Sequence, residues 1–351
     1  MHRTLAYFLG GVAFSLSTAS PVEWNIHKHL LHATPKQRKR MSFINKASIG
    51  HNDNHHGAYK GPAHYYRDIT NENETIHFSR GDVGLIAGSA AVAGLAINRG
   101  YSELAAAFKF SNNPGFGVED AAFIAGTVGG TMVYYGAYEF THHYMHVIGK
   151  RRLSINRTLG DIIQDGDRDG NLRFSKPLLD DICNHVESEV DENLGKDTCE
   201  FYFNPYLLHK LDEQIKVNRS YDFNGTSARA KVTVNHTSEE TLNKLTNKMI
   251  HEEGKIRSGL NPLDKIKYFI DMKIQKHLRQ SSLFSYLDNH HFIHHYRYGS
   301  NLNVVCPMMD KVMGTKQDST LNELEKNMCY WLCPNSPDIE PFSLVKKDIS
   351  P

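Results

Sequence analysis

The chain has 351 residues, enough to bury a substantial core in one or two domains. Its 40 basic and 39 acidic residues leave a formal charge of +1, so nothing electrostatic points to nucleic acid as a partner. Five cysteines (Cys183, Cys199, Cys306, Cys329 and Cys333) are too few and too scattered for a disulfide framework, and Cys329-x-x-x-Cys333 lacks a second pair.

Leu5 to Thr18 is apolar and leads through Glu23-Trp24 into His27, His29 and His32. A cleaved signal peptide would account for the apolar run, with Ser17-Thr18-Ala19 as its cleavage site, but Pro21 sits awkwardly close to that cut. The preferred reading is a retained membrane helix that continues to about Trp24. The basic run Lys36-Gln37-Arg38-Lys39-Arg40 follows, and beside a membrane segment it places this loop on the cytoplasmic side. His51, His55 and His56 come next, then a polar and aromatic stretch over 57–79 that suits an interface.

Val83 to Ile97 is a second apolar run and Ala121 to Tyr138 a third, both rich in the small residues that let helices pack closely in lipid. A loop over 99–118 with the turn signal Asn112-Asn113-Pro114-Gly115 separates them. The third run leads into His142, His143 and His146, and Lys150-Arg151-Arg152 marks another cytoplasmic flank. If one run goes out and the next returns, the second and third histidine clusters lie on one side of the membrane.

Residues 153–285 change character, with many charges and no apolar run, and read as a soluble insert. Helical pieces are expected at 176–190, 205–217, 238–257 and 262–288, and a short strand at Lys231–Val234. Asp165-Gly166-Asp167-Arg168-Asp169-Gly170 copies the opening of a calcium-binding loop, but Lys176 stands where the closing glutamate belongs, so a plain acidic turn is the better reading. The fourth cluster, His290, His291, His294 and His295, precedes Tyr296–Asn301, and a polar tail occupies 317–351.

Thirteen of the 21 histidines therefore fall in four short windows. Neutral imidazole is a common ligand for zinc, copper, iron and nickel, so the windows read as metal boxes. The better-placed residues are His27, His32, His51, His55, His56, His142, His146, His291, His294 and His295, whereas His29, His143 and His290 are extra to the tightest spacings. One zinc or iron takes about four to six ligands, so ten imidazoles suit two ions. Adjacent pairs such as His55-His56 and His294-His295 point their side chains apart, so each member can serve a different ion.

The ordered set Glu23-Trp24-x-x-His27-Lys28-x-x-x-His32, His51-x-x-x-His55-His56, His142-x-x-x-His146 and His291-x-x-His294-His295 resembles the boxes of the fatty acid hydroxylase and sterol desaturase superfamily, the membrane-bound histidine-rich di-iron oxygenases. Asn301 to Pro307, then Asp310-x-x-x-Gly314-Thr315, looks like that family's closing signature. The resemblance covers residues 1–152 and 286–316, and departs from the family in the long separation of His146 from His291 and in showing three apolar runs rather than four.

It implies an all-α fold: polytopic membrane helices capped by a cytoplasmic helical domain that carries the di-metal site, with 153–285 as a mostly helical insert. It also implies two iron ions, dioxygen as co-substrate, a lipid substrate that is hydroxylated or desaturated, and electrons from a separate donor protein. Glu23, Asn54, Glu139 and Asp310 are candidates to orient ligand rings. The membrane would be that of the endoplasmic reticulum or a bacterial inner membrane. Zinc at the same histidines would instead imply a lipid-modifying enzyme of another class. A non-catalytic metal-binding membrane protein or transporter is disfavoured, because Val83–Ile97 and Ala121–Tyr138 hold no acidic or basic residue.

Overall fold

The computed structural model describes residues 2–59, 80–108, 116–148, 150–164, 173–193, 201–220, 237–317 and 329–331. The described chain is helical apart from one short strand pairing. It divides into two compact units, Met1–Val147 with Leu278–Gln317, and Ile148–His277 with Asp318–Pro351. The insert thus begins and ends several residues earlier than the expected 153–285.

The first unit opens with α1 (His2–Ile26), which passes directly into a π-helical turn, His27–Leu31. Two short helices follow, α2 (Pro35–Arg38) and α3 (Ser42–Ser48), then a second π-helical stretch, Ile49–His55, and α4 (His56–Ala58). Thr34 and Gln37 form a reciprocal capping box at the start of α2, which fixes where the chain turns after the first histidines. Helices α5 (Arg80–Ala107) and α6 (Val118–Val147) complete the N-terminal part. The expected loop over 99–118 is therefore helical as far as Ala107, because Glu103, Leu104 and the alanines after them are strong helix formers. The Asn112–Gly115 turn lies outside the described residues.

Small residues set how these helices meet. A side chain on Gly11 of α1 would collide with the Phe123 carbonyl of α6, and one on Gly126 of α6 with the Phe8 carbonyl of α1. One turn further along, Ser15 and Thr131 share a 2.8 Å hydrogen bond between hydroxyls. Gly94 of α5 faces Thr127 in the same close manner, and Asn98 donates to the buried Asp120 at the start of α6. Two helices, His2–Leu31 and Arg80–Leu104, are long and apolar enough to cross a membrane by length and composition. Among the described residues the third expected run does not join them: α6 contains it, but Tyr134, Tyr135 and Tyr138 lower its hydropathy.

The second unit holds α7 (Lys150–Gln164), β1 (Arg173–Ser175), α8 (Lys176–Asn193), α9 (Pro205–Ser220), α10 (Ser238–Ser258) and most of α11 (Pro262–Gln280). Its core is built at helical spacing from Ile155, Leu159 and Ile163 of α7, Ile182, Val186 and Val190 of α8, Leu211 and Ile215 of α9, and Leu242, Leu245 and Met249 of α10. Three of the four expected helical pieces stand close to their expected bounds. The fourth is broken at Ser281, whose hydroxyl accepts from Phe284 N and starts a new helix, α12 (Ser282–Tyr296), back in the first unit.

Helix α7 was not among the expected pieces. Its basic start is not a free membrane flank either: Arg151 pairs with Asp191 at 2.9 Å and with Glu253 at 2.7 Å, and Arg152 with Asp180 at 2.9 Å. In the expected polar tail, β2 (Cys329–Trp331) pairs antiparallel with β1. The acidic turn at Asp165–Gly170 and the strand at Lys231–Val234 lie outside the described residues. The first unit closes with α13 (Met308–Val312).

Candidate metal centre

The four boxes reach one place by two kinds of helical geometry. In an α-helix, residues four apart share a face and residues five apart do not. His142 and His146 on α6, and His291 and His295 on α12, use the first relation. His27 and His32 are five apart, as are His51 and His56; the first of each pair lies on π-helical backbone and the second caps that stretch. His32 N donates to His27 O at 2.9 Å, and His56 N to His51 O, so each pair is closed by the wider i to i+5 bond. The rings of His27 and His32 consequently stack, with centroids 5.1 Å apart and planes at 4°.

All ten expected residues come together in two groups of five. One holds His27, His32, His51, His56 and His294; the other holds His55, His142, His146, His291 and His295. Within each group the ligand atoms lie within 4.8 Å of one another, and neither includes a carboxylate or thiolate. The adjacent pairs divide between the groups, His55 from His56 and His294 from His295. The three histidines set aside lie outside both. His29 is exposed beside Trp24, His143 packs on Tyr144, and His290 is hydrogen-bonded to Asp310 at 3.1 Å.

The first group is linked through Nε2 atoms: His27 to His51 at 3.0 Å, His51 to His56 at 3.1 Å, His56 to His294 at 3.2 Å, and His294 to His32 at 3.1 Å. In the second, His55 to His295 is 3.2 Å, His295 to His291 3.1 Å, and His291 to His146 3.2 Å. A metal with nitrogen ligands at about 2.1 Å sets neighbours about 3.0 Å apart in five- or six-coordinate geometry and about 3.4 Å apart in a tetrahedron. The observed spacings, and five donors rather than four, fit the higher coordination number.

The rings are held in the form a metal needs. His294 donates from Nδ1 to Ser300 O at 2.9 Å and His295 from Nδ1 to Tyr59 O at 3.3 Å, so in both the Nε2 lone pair faces its group. Burial, with the neighbouring imidazoles adding to it, holds the pKa of His51, His55, His56, His291 and His295 well below the ordinary value. It lowers His294 to about 3 and His32 to about 4. Converging neutral lone pairs repel one another unless a cation or proton lies between them. The donor set therefore fits a bound metal ion in each group.

The closing segment is a clamp around this arrangement. Asp310, fully buried, accepts from Leu302 N and Asn303 N at 2.8 Å each, from Thr315 Oγ1 at 2.7 Å, and from His290. Burial alone would raise its pKa, but these donors outweigh it and hold the carboxyl below its usual range. Asn301, in the left-handed region at φ 52°, ties the segment to α12 through His290 O. Glu23 receives Asn303 Nδ2, Val304 N and the Tyr134 hydroxyl, while Trp24 donates to Thr315 at 3.0 Å.

Glu23 and Asp310 thus brace the loop that positions α12, and Glu139 is hydrogen-bonded to Tyr135. Asn54 is exposed, and its neighbour Asn52 takes the expected role by hydrogen-bonding His32 while donating to Leu31 O and Ser48 Oγ. Asn52 was overlooked because it stands between the histidines of the second box, at a position the metal-ligand spacing leaves open. A polar residue inside a box, facing the same way as its histidines, was the available signal.

A cavity of about 540 Å³ opens beside His32, lined by Lys28, His29, Thr34, Gln37 and Tyr298. His32 is the one half-buried member of the ten; the rest are buried. No family model, curated protein or solved structure matches the chain. The described residues define a mostly helical protein with two all-histidine groups able to hold metal, and with two helices of membrane-spanning length.

Proposed function

We propose that the protein is a membrane-bound di-iron oxygenase of the fatty acid hydroxylase and sterol desaturase type, acting on a C–H bond of a lipid. The observation that supports this most directly is the pair of five-imidazole groups interleaved through His55-His56 and His294-His295. An isolated tetrahedral zinc site needs neither five donors nor a second group beside it. Two ferrous ions held there would supply the redox chemistry by which dioxygen, with two electrons from a separate donor protein, is used to insert an oxygen atom or to remove two hydrogens.

The chain's own part is to hold and to exclude. Ser300 O, Tyr59 O and Asn52 fix ring orientation, and the buried rings keep bulk water from nine of the ten ligand positions. The cavity at His32 offers polar groups to a substrate's headgroup at the one ligand that borders solvent. Membrane insertion through His2–Leu31 and Arg80–Leu104 would bring the acyl or sterol part in from the bilayer, with the site on the cytoplasmic side.

The test is to incubate iron-loaded protein with mixed membrane lipids, dioxygen and a chemical reductant, and to follow lipid masses. Oxygen- and reductant-dependent products heavier by one oxygen, or lighter by two hydrogens, are expected. Lipid turnover that proceeds without oxygen and with zinc alone would contradict the proposal.

A further inference from the structure

Helix α11 is amphipathic the wrong way round for a helix of a soluble core. None of its residues is buried. Leu263, Ile266, Phe269 and Ile270 are 62%, 57%, 54% and 51% exposed, which is a contiguous apolar stripe at helical spacing. Tyr268, Met272, Gln275 and Arg279, at helical spacing on the opposite side, are half-buried.

The charges follow the same division. Lys265, Lys267, Lys273 and Lys276 are all exposed on or beside the apolar stripe. Of the two acidic residues, Asp271 is half-buried and accepts from Gln275, whereas Asp264, in the first turn, pairs with Lys267 at 3.2 Å. Lys273 Nζ also lies over the Phe269 ring, 5.2 Å from its centre, so the lysine stem packs on the apolar stripe. An apolar strip with a rim of lysines, its one solvent-facing carboxylate already paired with Lys267, complements an anionic bilayer surface, in which the side chains enter the acyl boundary and the ammonium groups meet phosphate.

We infer that the outward face of α11 is an interfacial membrane anchor that binds anionic lipid. The inference rests on the membrane reading above, and extends it to a helix outside the two candidate spans.

The full chain is placed in phosphatidylcholine nanodiscs containing a phosphatidylserine with a photoactivatable group near the start of its acyl chain, and crosslinked sites are mapped by peptide mass spectrometry. Crosslinks are expected on Leu263, Ile266, Phe269 or Ile270. They should fall at least about tenfold in the K265Q/K267Q/K273Q/K276Q variant, or when the photoactivatable lipid is a phosphatidylcholine in discs without anionic lipid. Crosslinks on Leu85 and Val92 of α5, expected in every case, report the membrane reading separately. Labelling of α5 without α11 would overturn the anchor alone, as would crosslinks joining α11 to a second copy of the chain. Labelling of neither would overturn both.

Discussion

At the scale of single residues, ten imidazoles are arranged by a few neighbours whose loss should be measurable. Asn52 holds His32, the half-buried ligand, and ties it to Leu31 O and Ser48. Asn52→Ala should lower metal affinity about ten- to a hundredfold while the fold survives, as a competitive chelator titration would show. Asp310→Ala strands two buried backbone N–H groups, Leu302 and Asn303, and should cost at least about 2 kcal/mol in denaturant unfolding. Acid should act through the same rings. His294 and His32 titrate near 3 and 4 when folded, against the ordinary 6.5. Between those values the unfolded chain binds the extra protons, so their contribution is whole above about pH 6.5 and is lost as pH falls towards 4 and then 3. The melting temperature of metal-free protein should drop steadily from pH 7 to pH 4.5, and a flat profile would contradict the buried neutral imidazoles.

At the scale of elements, two π-helical turns and one glycine interface make the centre possible. The histidine spacings were plain in the sequence, yet the reason that residues five apart can serve together was not. Nothing in His27–His32 or His51–His56 announces an i to i+5 bond, because the choice between π and α depends on what the rings meet after folding. Apolar runs likewise announced α1 and α5, whereas α7 was hidden behind its basic start although Ile155, Leu159 and Ile163 keep helical spacing. The α1–α6 contact carries His27 on one side and His142 and His146 on the other. Gly126→Val would drive a side chain into the Phe8 carbonyl and should cost about 3 kcal/mol or more, with loss of bound metal. Gly136→Ala, on the same helix with nothing within 4 Å, should leave both stability and metal content unchanged. Equal effects from the two substitutions would remove the close α1–α6 approach from the account.

At the scale of the whole molecule, the long interval between the third and fourth boxes is a unit with its own core. Composition showed that 153–285 differs from what precedes it, but its boundaries depend on where Arg151 and Arg152 find partners, which only the fold reveals. Leu245→Ala, deep in that core, should destabilise the unit by about 2–5 kcal/mol and leave the metal content of folded protein intact. The division of the histidines into two groups of five is the claim on which the functional proposal stands. It is tested most directly by counting metal per folded chain after iron loading, in the wild type and in two double variants, His27→Ala/His32→Ala and His142→Ala/His146→Ala. The account predicts two ions in the wild type and one in each variant, since each pair belongs to a different group. Loss of all metal in both variants would point to a single shared site, and no metal in folded wild-type protein would contradict the centre altogether.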